Sequence, residues 1–363
     1  MKKAVALTAV ITLLCMVGGA AFAGWTVVDL SPAHSTYYRW AEGVSGGQQA
    51  GRADFGGIAH AGLWRGTAAS WVDLHPVGAR SSEAYGVSGG QQVGYASFGA
   101  KDYRASLWSG TAGSWVDLTP AGAYRSYARG VSGGQQVGEA AFELDGSSHA
   151  GLWSGTAASW VDLNPTGASS SRAYALCDGQ QVGWAYDGTY HHAALWSGTA
   201  ASWVDLNPAG AIWWSAALGV SGGQQVGWAG IGGSSEHAGM WSGTAGSWVD
   251  LNPAGATSSR ASGISGGLQV GLAHVGNAMC ASLWSGTAAS WVNLHALLPT
   301  GVYLGSEASS VEVSPGEIWV AGYAYNSPAG RDAILWHYVP EPSSFLALGA
   351  LLSPLLAFRR RKA

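Results

Sequence analysis

Four histidines, His60, His149, His192 and His237, open a recurring segment His-Ala-x-Leu/Met-Trp. Six aspartates, Asp29, Asp73, Asp117, Asp162, Asp205 and Asp250, recur in a second segment, Val-Asp-Leu, with Asn293 in the seventh copy. Imidazoles in this number suggest a metal, and carboxylates suggest acid–base catalysis, but neither chemistry suits the spacing. Metal ligands must converge on one ion, whereas these histidines stand one per repeat; His191 and His192, adjacent on a strand, point to opposite faces. A catalytic carboxylate pair needs one site with two different environments, which equivalent positions spread through a repeat do not supply. The histidines are expected to be structural and the aspartates to hydrogen-bond the neighbouring backbone. No Gly-x-Ser-x-Gly lies between a strand and a helix, and no Walker loop, dinucleotide fingerprint or calcium-loop spacing is present. A metal, a cofactor and catalysis are therefore not expected.

The elements that would carry these residues follow from the repeat. Its fullest copy runs Gly219-Val220-Ser221-Gly222-Gly223-Gln224-Gln225-Val226-Gly227-Trp228-Ala229, then a variable stretch, then His237 to Thr244, and finally Trp248-Val249-Asp250-Leu251-Asn252-Pro253. The Trp of the His-Ala segment falls at 64, 108, 153, 196, 241 and 284, a spacing of 43 to 45 residues that belongs to propellers rather than helical solenoids. Each copy predicts four strands. Strand a is Gly-Val-Ser, and strand b is Gln-Gln-Val-Gly-x-Ala, hairpinned through Gly-Gly. Strand c is His-Ala-x-Leu-Trp. Strand d is Ser-Trp-Val-Asp-Leu, with Trp248 and Asp250 on one face and Val249 and Leu251 on the other; the proline after it stops the strand. The chain from Gly24 opens with an isolated strand d, Trp25–Leu30, and closes on Ala333–Tyr338, a strand c with no d after it. The expected fold is all-β: a seven-bladed β-propeller over residues 24–338 whose N-terminal strand closes the last blade and removes its exposed edge.

Thirteen of the 20 tryptophans occupy the two repeat positions of strands c and d, which marks them as the packing layer between blades. Three of the other seven stand out. Trp40, Trp213 and Trp214 fall in the connections from strand d to strand a, where exposed rings can stack on sugar faces. The residue just before strand a also varies between copies, as Glu42, Tyr85, Arg129, Tyr174 and Leu218, and is expected at the mouth of a central channel. The loops on that face, including 101–104, 143–146 and 212–214, carry most of the other differences. Trp40, Glu42, Tyr85, Arg129, Tyr174, Trp213 and Trp214 are the candidate ligand-binding residues.

With 47% hydrophobic and 10% charged residues, the composition is that of a folded protein. Residues 24–338 hold 11 basic and 20 acidic residues, a net charge of −9 that excludes a nucleic-acid partner. Cys177 and Cys280 occupy non-equivalent positions, so no disulfide is expected between them. The ends read as addresses. Residues 1–23 carry Lys2-Lys3, an apolar run and Ala21-Phe22-Ala23, the pattern of a Sec signal peptide that signal peptidase cuts after Ala23. Residues 339–363 place Pro340-Glu341-Pro342 before a short apolar stretch, expected as a hydrophobic helix, and then Arg359, Arg360, Arg361 and Lys362. That basic end would stay on the cytoplasmic side.

The three-part C-terminal pattern resembles the PEP-CTERM sorting signal of Gram-negative bacteria. The resemblance implies an exosortase-type processing enzyme acting at Pro340, Glu341 and Pro342, a transient or permanent membrane anchor through this segment, and a link to exopolysaccharide and biofilm. The His-Ala-x-Leu-Trp element, with Gly-x-Ser-Gly-Gly-Gln-x-Val-Gly before it, is similar to the HAF extracellular repeats, which implies an extracellular place and no assigned activity. The expectation is a non-enzymatic exported propeller at the cell envelope, cell surface or matrix. A carbohydrate-binding module, taking an exopolysaccharide or surface glycan on the variable loops, is the alternative; a secreted hydrolase or lyase comes third.

Overall fold

A computed structural model describes residues 24–340, apart from 101, 143–146, 233–234 and 328–329. The expected signal peptide, with Ala21 and Ala23, lies outside the described residues. So do Glu341, Pro342, the C-terminal helix and Arg359, Arg360 and Arg361. Among the described residues no helix is long and apolar enough to cross a membrane.

Each repeat forms an antiparallel meander. In the fifth copy, strand a (Ala211–Ser221) turns through Gly222 and Gly223, at φ +57° and +77°, into strand b (Gln224–Ile231). Two successive positive φ angles match the twist of a hairpin, and only glycine takes both without strain. Strand c (Ser235–Trp241) follows, then a 3-10 turn (Ala245–Ser247) and strand d (Val249–Asp250). Five copies make separate four-stranded sheets. The first and seventh share an eight-stranded sheet, joined through a parallel bridge between Tyr38 and Arg331. In that sheet Trp25–Asp29 pairs with Gly330–Tyr338 in the register Trp25 to Tyr338 and Asp29 to Ile334. The Leu30 N–H continues the ladder to the Ala333 carbonyl at 2.8 Å. The orphan strand thus lies where the phase of the repeat requires it. Each strand a packs against the next, and the seventh returns to the first. This is the arrangement of a β-propeller.

Neighbouring sheets are held by tryptophan. Trp64, Trp108, Trp153, Trp196, Trp241, Trp284 and Trp336 are all fully buried. Each lies under the preceding sheet, as Trp196 does among Val137, Ala150, Leu152 and Leu163. Serine adds a polar stitch: strand a of one copy presents a hydroxyl to a strand c N–H of the copy before it, as Ser126 does to Ala105 at 2.9 Å and Ser259 to Ala238 at 3.0 Å. Between the seventh and first copies an ion pair of Arg39 with Asp332 stands in that place. The strand b glutamine joins the two turns at one end of its sheet. Gln225 donates to the Gly223 carbonyl at 3.0 Å and accepts from the Gly243 N–H at 2.8 Å. In the seventh copy no Ser-Gly-Thr turn follows strand c, and buried Val320 replaces the glutamine.

Strand d differs from the expected alternation. In the first six copies it is two residues long, because the Thr-Ala-x-Ser segment closes a 3-10 turn that holds the tryptophan at its end. Val249 is left exposed on the outer edge, whereas Leu251 is buried against Ala261, Ile264 and Trp284 of the next copy.

Strand a carries a β-bulge in every copy, as between Ala128 and Gly130. The bulge drives a strand a carbonyl towards strand b, and the Gly of Gln-x-Val-Gly receives it. A Cβ on Gly138 would lie 1.9 Å from the Tyr127 carbonyl oxygen, and one on Gly94 would lie 1.8 Å from that of Glu83. Gly138→Ala is therefore expected to cost about 1–3 kcal/mol. Gly113→Ala, with open space around it and no positive φ, should be near neutral; urea denaturation of the two variants gives the comparison. Leu30→Ala, which hollows out the closing seam, should cost about 2–5 kcal/mol in the same assay.

Candidate ligand site on the propeller axis

A bulge re-aims a side chain, and here it aims one residue per copy at the axis. Glu42, Tyr85, Arg129, Tyr174, Leu218, Ser262 and Ser309 are the bulged residues, and all seven line an axial cavity of about 310 Å³. Four candidate residues, Glu42, Tyr85, Arg129 and Tyr174, are thereby brought together. They sit inside strand a, not ahead of it as expected, because strand a runs eight to eleven residues. Ser262 and Ser309 escaped notice because serine is common throughout the repeat.

A second tier stands above this ring. The strand a residue two before the bulge pairs with the strand b residue after the glycine: Trp40 with Arg52, Glu83 with Tyr95, Tyr127 with Glu139, Arg172 with Trp184, and Glu307 with Tyr323. Five residue types occur at each of these two positions over the seven copies, while the flanking strand a positions are almost constant. The result is a charged and aromatic lining of uneven sign. On one side lie Glu42, Glu83 and Glu307. The Trp40 indole N–H donates to Glu83 at 2.6 Å, and Tyr323 donates to Glu307 at 2.6 Å. Burial raises both the Glu83 and Glu307 carboxyls above the usual range. Burial, reinforced by the repulsion of those two, pushes Glu42 up to about 8. On the other side Arg129 grips Glu139 with two 2.7 Å bonds. Burial alone would lower the guanidinium, but Glu139 more than offsets it and holds Arg129 protonated.

A recess of about 390 Å³ opens beside Arg129, walled by Tyr85, Tyr95, Tyr103, Tyr127, Arg125 and Arg172. The remaining candidates are placed differently from expectation. Trp40 is within strand Thr36–Ser45, partly buried with Arg52 4.5 Å from its ring centroid, and so belongs to the lining rather than to a loop. Trp213 and Trp214 also lie within a strand, Ala211–Ser221, but at an irregularity between Ala211 and Ser215 that lifts both rings clear; they are 50% and 52% exposed.

The histidines and aspartates form latches with one another. His60 Nδ1 meets Asp73 Oδ2 at 2.8 Å, His149 meets Asp162 at 2.7 Å, His192 meets Asp205 at 2.9 Å and His237 meets Asp250 at 2.8 Å. The other aspartate oxygen accepts from the backbone two residues on, as Asp250 does from Asn252 at 2.7 Å. A constant separation of 13 residues between each His and its Asp was the available signal. Arg104, which replaces His in the second copy, keeps the pairing with Asp117 at 3.2 Å.

Glu42 has a measurable consequence. Its folded-state pKa lies above that of an unfolded glutamate, so the stability tied to it is complete at acid pH and is lost as pH rises through about 8. Between pH 5 and 8.5 the melting midpoint should fall by a few degrees, equivalent to about 1–2 kcal/mol in a domain of this size. Glu42→Gln should remove most of that fall.

No family model matches the chain, and no curated protein matches it. Solved structures do. The β-propeller domain of the trilobed protease from Pyrococcus furiosus aligns with a TM-score of 0.54 at 8% identity, over 83% of this chain and 94% of that one. A puromycin hydrolase aligns at 0.52 and 16%, over 83% and 52%. An acylaminoacyl peptidase from Pyrococcus horikoshii aligns at 0.51 and 8%, over 88% and 55%. The chain thus spans about half the length of these two enzymes. At such identities the likeness shows the β-propeller fold and nothing of activity.

Proposed function

We propose that the chain is an exported, seven-bladed propeller that acts as a non-enzymatic interaction protein of the cell envelope or extracellular matrix, associated with exopolysaccharide. One observation carries the reading. Within strands a and b, where most positions repeat, the copies vary at the bulged residue and at the facing pair above it, and these positions converge round the axis. A scaffold whose variation gathers at one convergent surface is built to meet a partner there. Seven first strands round a common cavity, with a strand from each end of the domain in one sheet, support the blade count. The engagement of each His by its Asp supports a structural use for both. Export rests on the pattern of residues 1–23, and sorting on Pro340-Glu341-Pro342 with the apolar and basic stretches after it. Glycan binding by the variable face is the second reading, favoured by the exposure of Trp213 and Trp214.

Cell fractionation and mass spectrometry of the native host's protein test this. The released form is expected to begin at Gly24 and to collect with the envelope or matrix. Replacing Pro340, Glu341 and Pro342 together by alanine should leave an unprocessed form in the inner membrane. A cytoplasmic protein that retains residues 1–23 would sink the proposal.

A further inference from the structure

The serine stitch between copies ends on a further side chain, and that side chain differs from seam to seam. Ser171, Ser215 and Ser259 accept the N–H of Ala150, Ala193 and Ala238. Each then donates its own proton to an asparagine, Asn164, Asn207 or Asn252, at 2.6 Å. Between the second and third copies Thr119 takes the asparagine's place, 2.9 Å from Ser126. Two seams use an imidazole. His75 Nδ1 lies 2.8 Å from Ser82 Oγ, and His295 Nδ1 lies 2.9 Å from Ser306 Oγ. His75 Nε2 donates to the Ala79 carbonyl at 3.0 Å, as the Asn164 amide donates to that of Ala168 at 2.8 Å. The carbonyl fixes the tautomer, so a neutral ring keeps Nδ1 free to accept the serine proton, as the amide oxygen does.

The two imidazole seams border one unit. The first joins the first copy to the second, and the other joins the sixth to the seventh. Together they flank the eight-stranded sheet that the seventh and first copies share. The seam inside that sheet carries the Arg39–Asp332 ion pair instead. We propose that this sheet is an acid-released joint: protonation of His75 and His295 loosens it at both borders, while the seams built on asparagine and threonine hold. A proton taken from solvent by Nδ1 removes the acceptor of the serine hydroxyl and puts a charge in a half-closed seam, a change the amide cannot undergo. Glu42 and Ser309 belong to the first and seventh copies, so the same release parts the wall of the axial cavity.

The surroundings of both rings favour the neutral form. His75 stacks on His60 at 4.0 Å, and burial, then repulsion by His60, lowers its pKa against the weaker pull of Asp73. Glu83, next to Ser82, turns to the axial lining, where Trp40 and Arg52 meet it. His295 lies on a 3-10 helix, Leu294–Leu297, packed against strands Ala278–Trp284, Gly305–Ser314 and Trp25–Asp29. Burial alone lowers its pKa. Of the titratable groups on those strands, the Cys280 thiol is pushed up by burial and Glu307 turns to the axis. Glu312 accepts from the Gly46 N–H, and Asp29 from that of Ser31. The stability tied to each imidazole is therefore complete above the ordinary histidine range and is lost as pH falls through the lowered value. Glu42 acts on global stability in the opposite sense, so the joint must be read seam by seam.

Amide hydrogen exchange on the full protein as its host produces it, corrected for the intrinsic effect of pH, reads each seam through the N–H that its serine holds. From pH 7 to pH 5 the opening equilibrium at Ala61 and Ala281 is expected to rise about tenfold, the equivalent of one pKa unit, with strand Trp25–Asp29 following. Ala150, Ala193 and Ala238 should not respond, although a latch histidine precedes each of them. His75→Asn with His295→Asn should abolish the rise, and Asn164→His should add Ala150 to the responding amides. Glu42 titrates alike in all these chains. Melting midpoints check folding; if one variant does not fold, the other decides. No rise at Ala61 and Ala281, or an equal rise at the asparagine seams, overturns the proposal. So does a rise that survives in the double variant, which would assign it to the latches.

Discussion

The structure turns on a close approach between two backbones. In each repeat a strand a carbonyl presses into the space above a strand b glycine, where a Cβ would sit 1.8 to 2.1 Å from the oxygen. The glycine makes room for that approach, and the bulge beside it turns one side chain per copy towards the axis. The glycine is thus the constant part of a device whose output is a variable residue, of five types over the seven copies. A regular strand would have pointed the same residue into the layer between sheets, where only the repeat's own small and apolar side chains fit.

Around that device the packing is deliberately monotonous. A buried tryptophan recurs in every copy, with a hydroxyl stitch, a glutamine staple and a His–Asp latch in most of them, and the polar members pair many of the groups that tight sheet packing buries. The indole N–H groups of Trp64, Trp108, Trp153, Trp196, Trp241 and Trp284 have no hydrogen-bond partner, while that of Trp336 reaches the Leu294 carbonyl at 3.1 Å. Only in the seventh sheet is strand d free of the template tryptophan, since Val27 stands at its place. The strand d ring lies close by in three copies, 4.7 Å centroid to centroid for Trp64 with Trp71, Trp153 with Trp160 and Trp241 with Trp248.

Much of this was legible beforehand, for identifiable reasons. The period, the Gly-Gly hairpins and the unpaired strands at the two ends follow from residue types whose geometry is nearly obligatory. The axial position of Glu42, Tyr85, Arg129 and Tyr174 was legible as variation against a constant background. What was not legible came from local geometry without a strong residue signature. Thr-Ala-x-Ser reads as well for a strand as for the 3-10 turn it makes, so strand d appeared too long and exposed Val249 was grouped with buried Leu251. Trp40 and the pair Trp213 and Trp214 looked alike as departures from the repeat, yet neighbouring arginines enclose the first, and a break in pairing exposes the others. The second tier, Glu139 and Arg172 among it, was hidden because pairing across strands a and b links residues 12 or so apart in sequence without any shared motif.

The meeting of the first and last strands has a geometric corollary. The Val339 N–H donates to the Gly24 carbonyl at 2.9 Å, so the domain's entry and exit are one doorway. Anything covalently attached to either residue starts from the same point on the rim of the same sheet. A tether at one end would hold the other beside it.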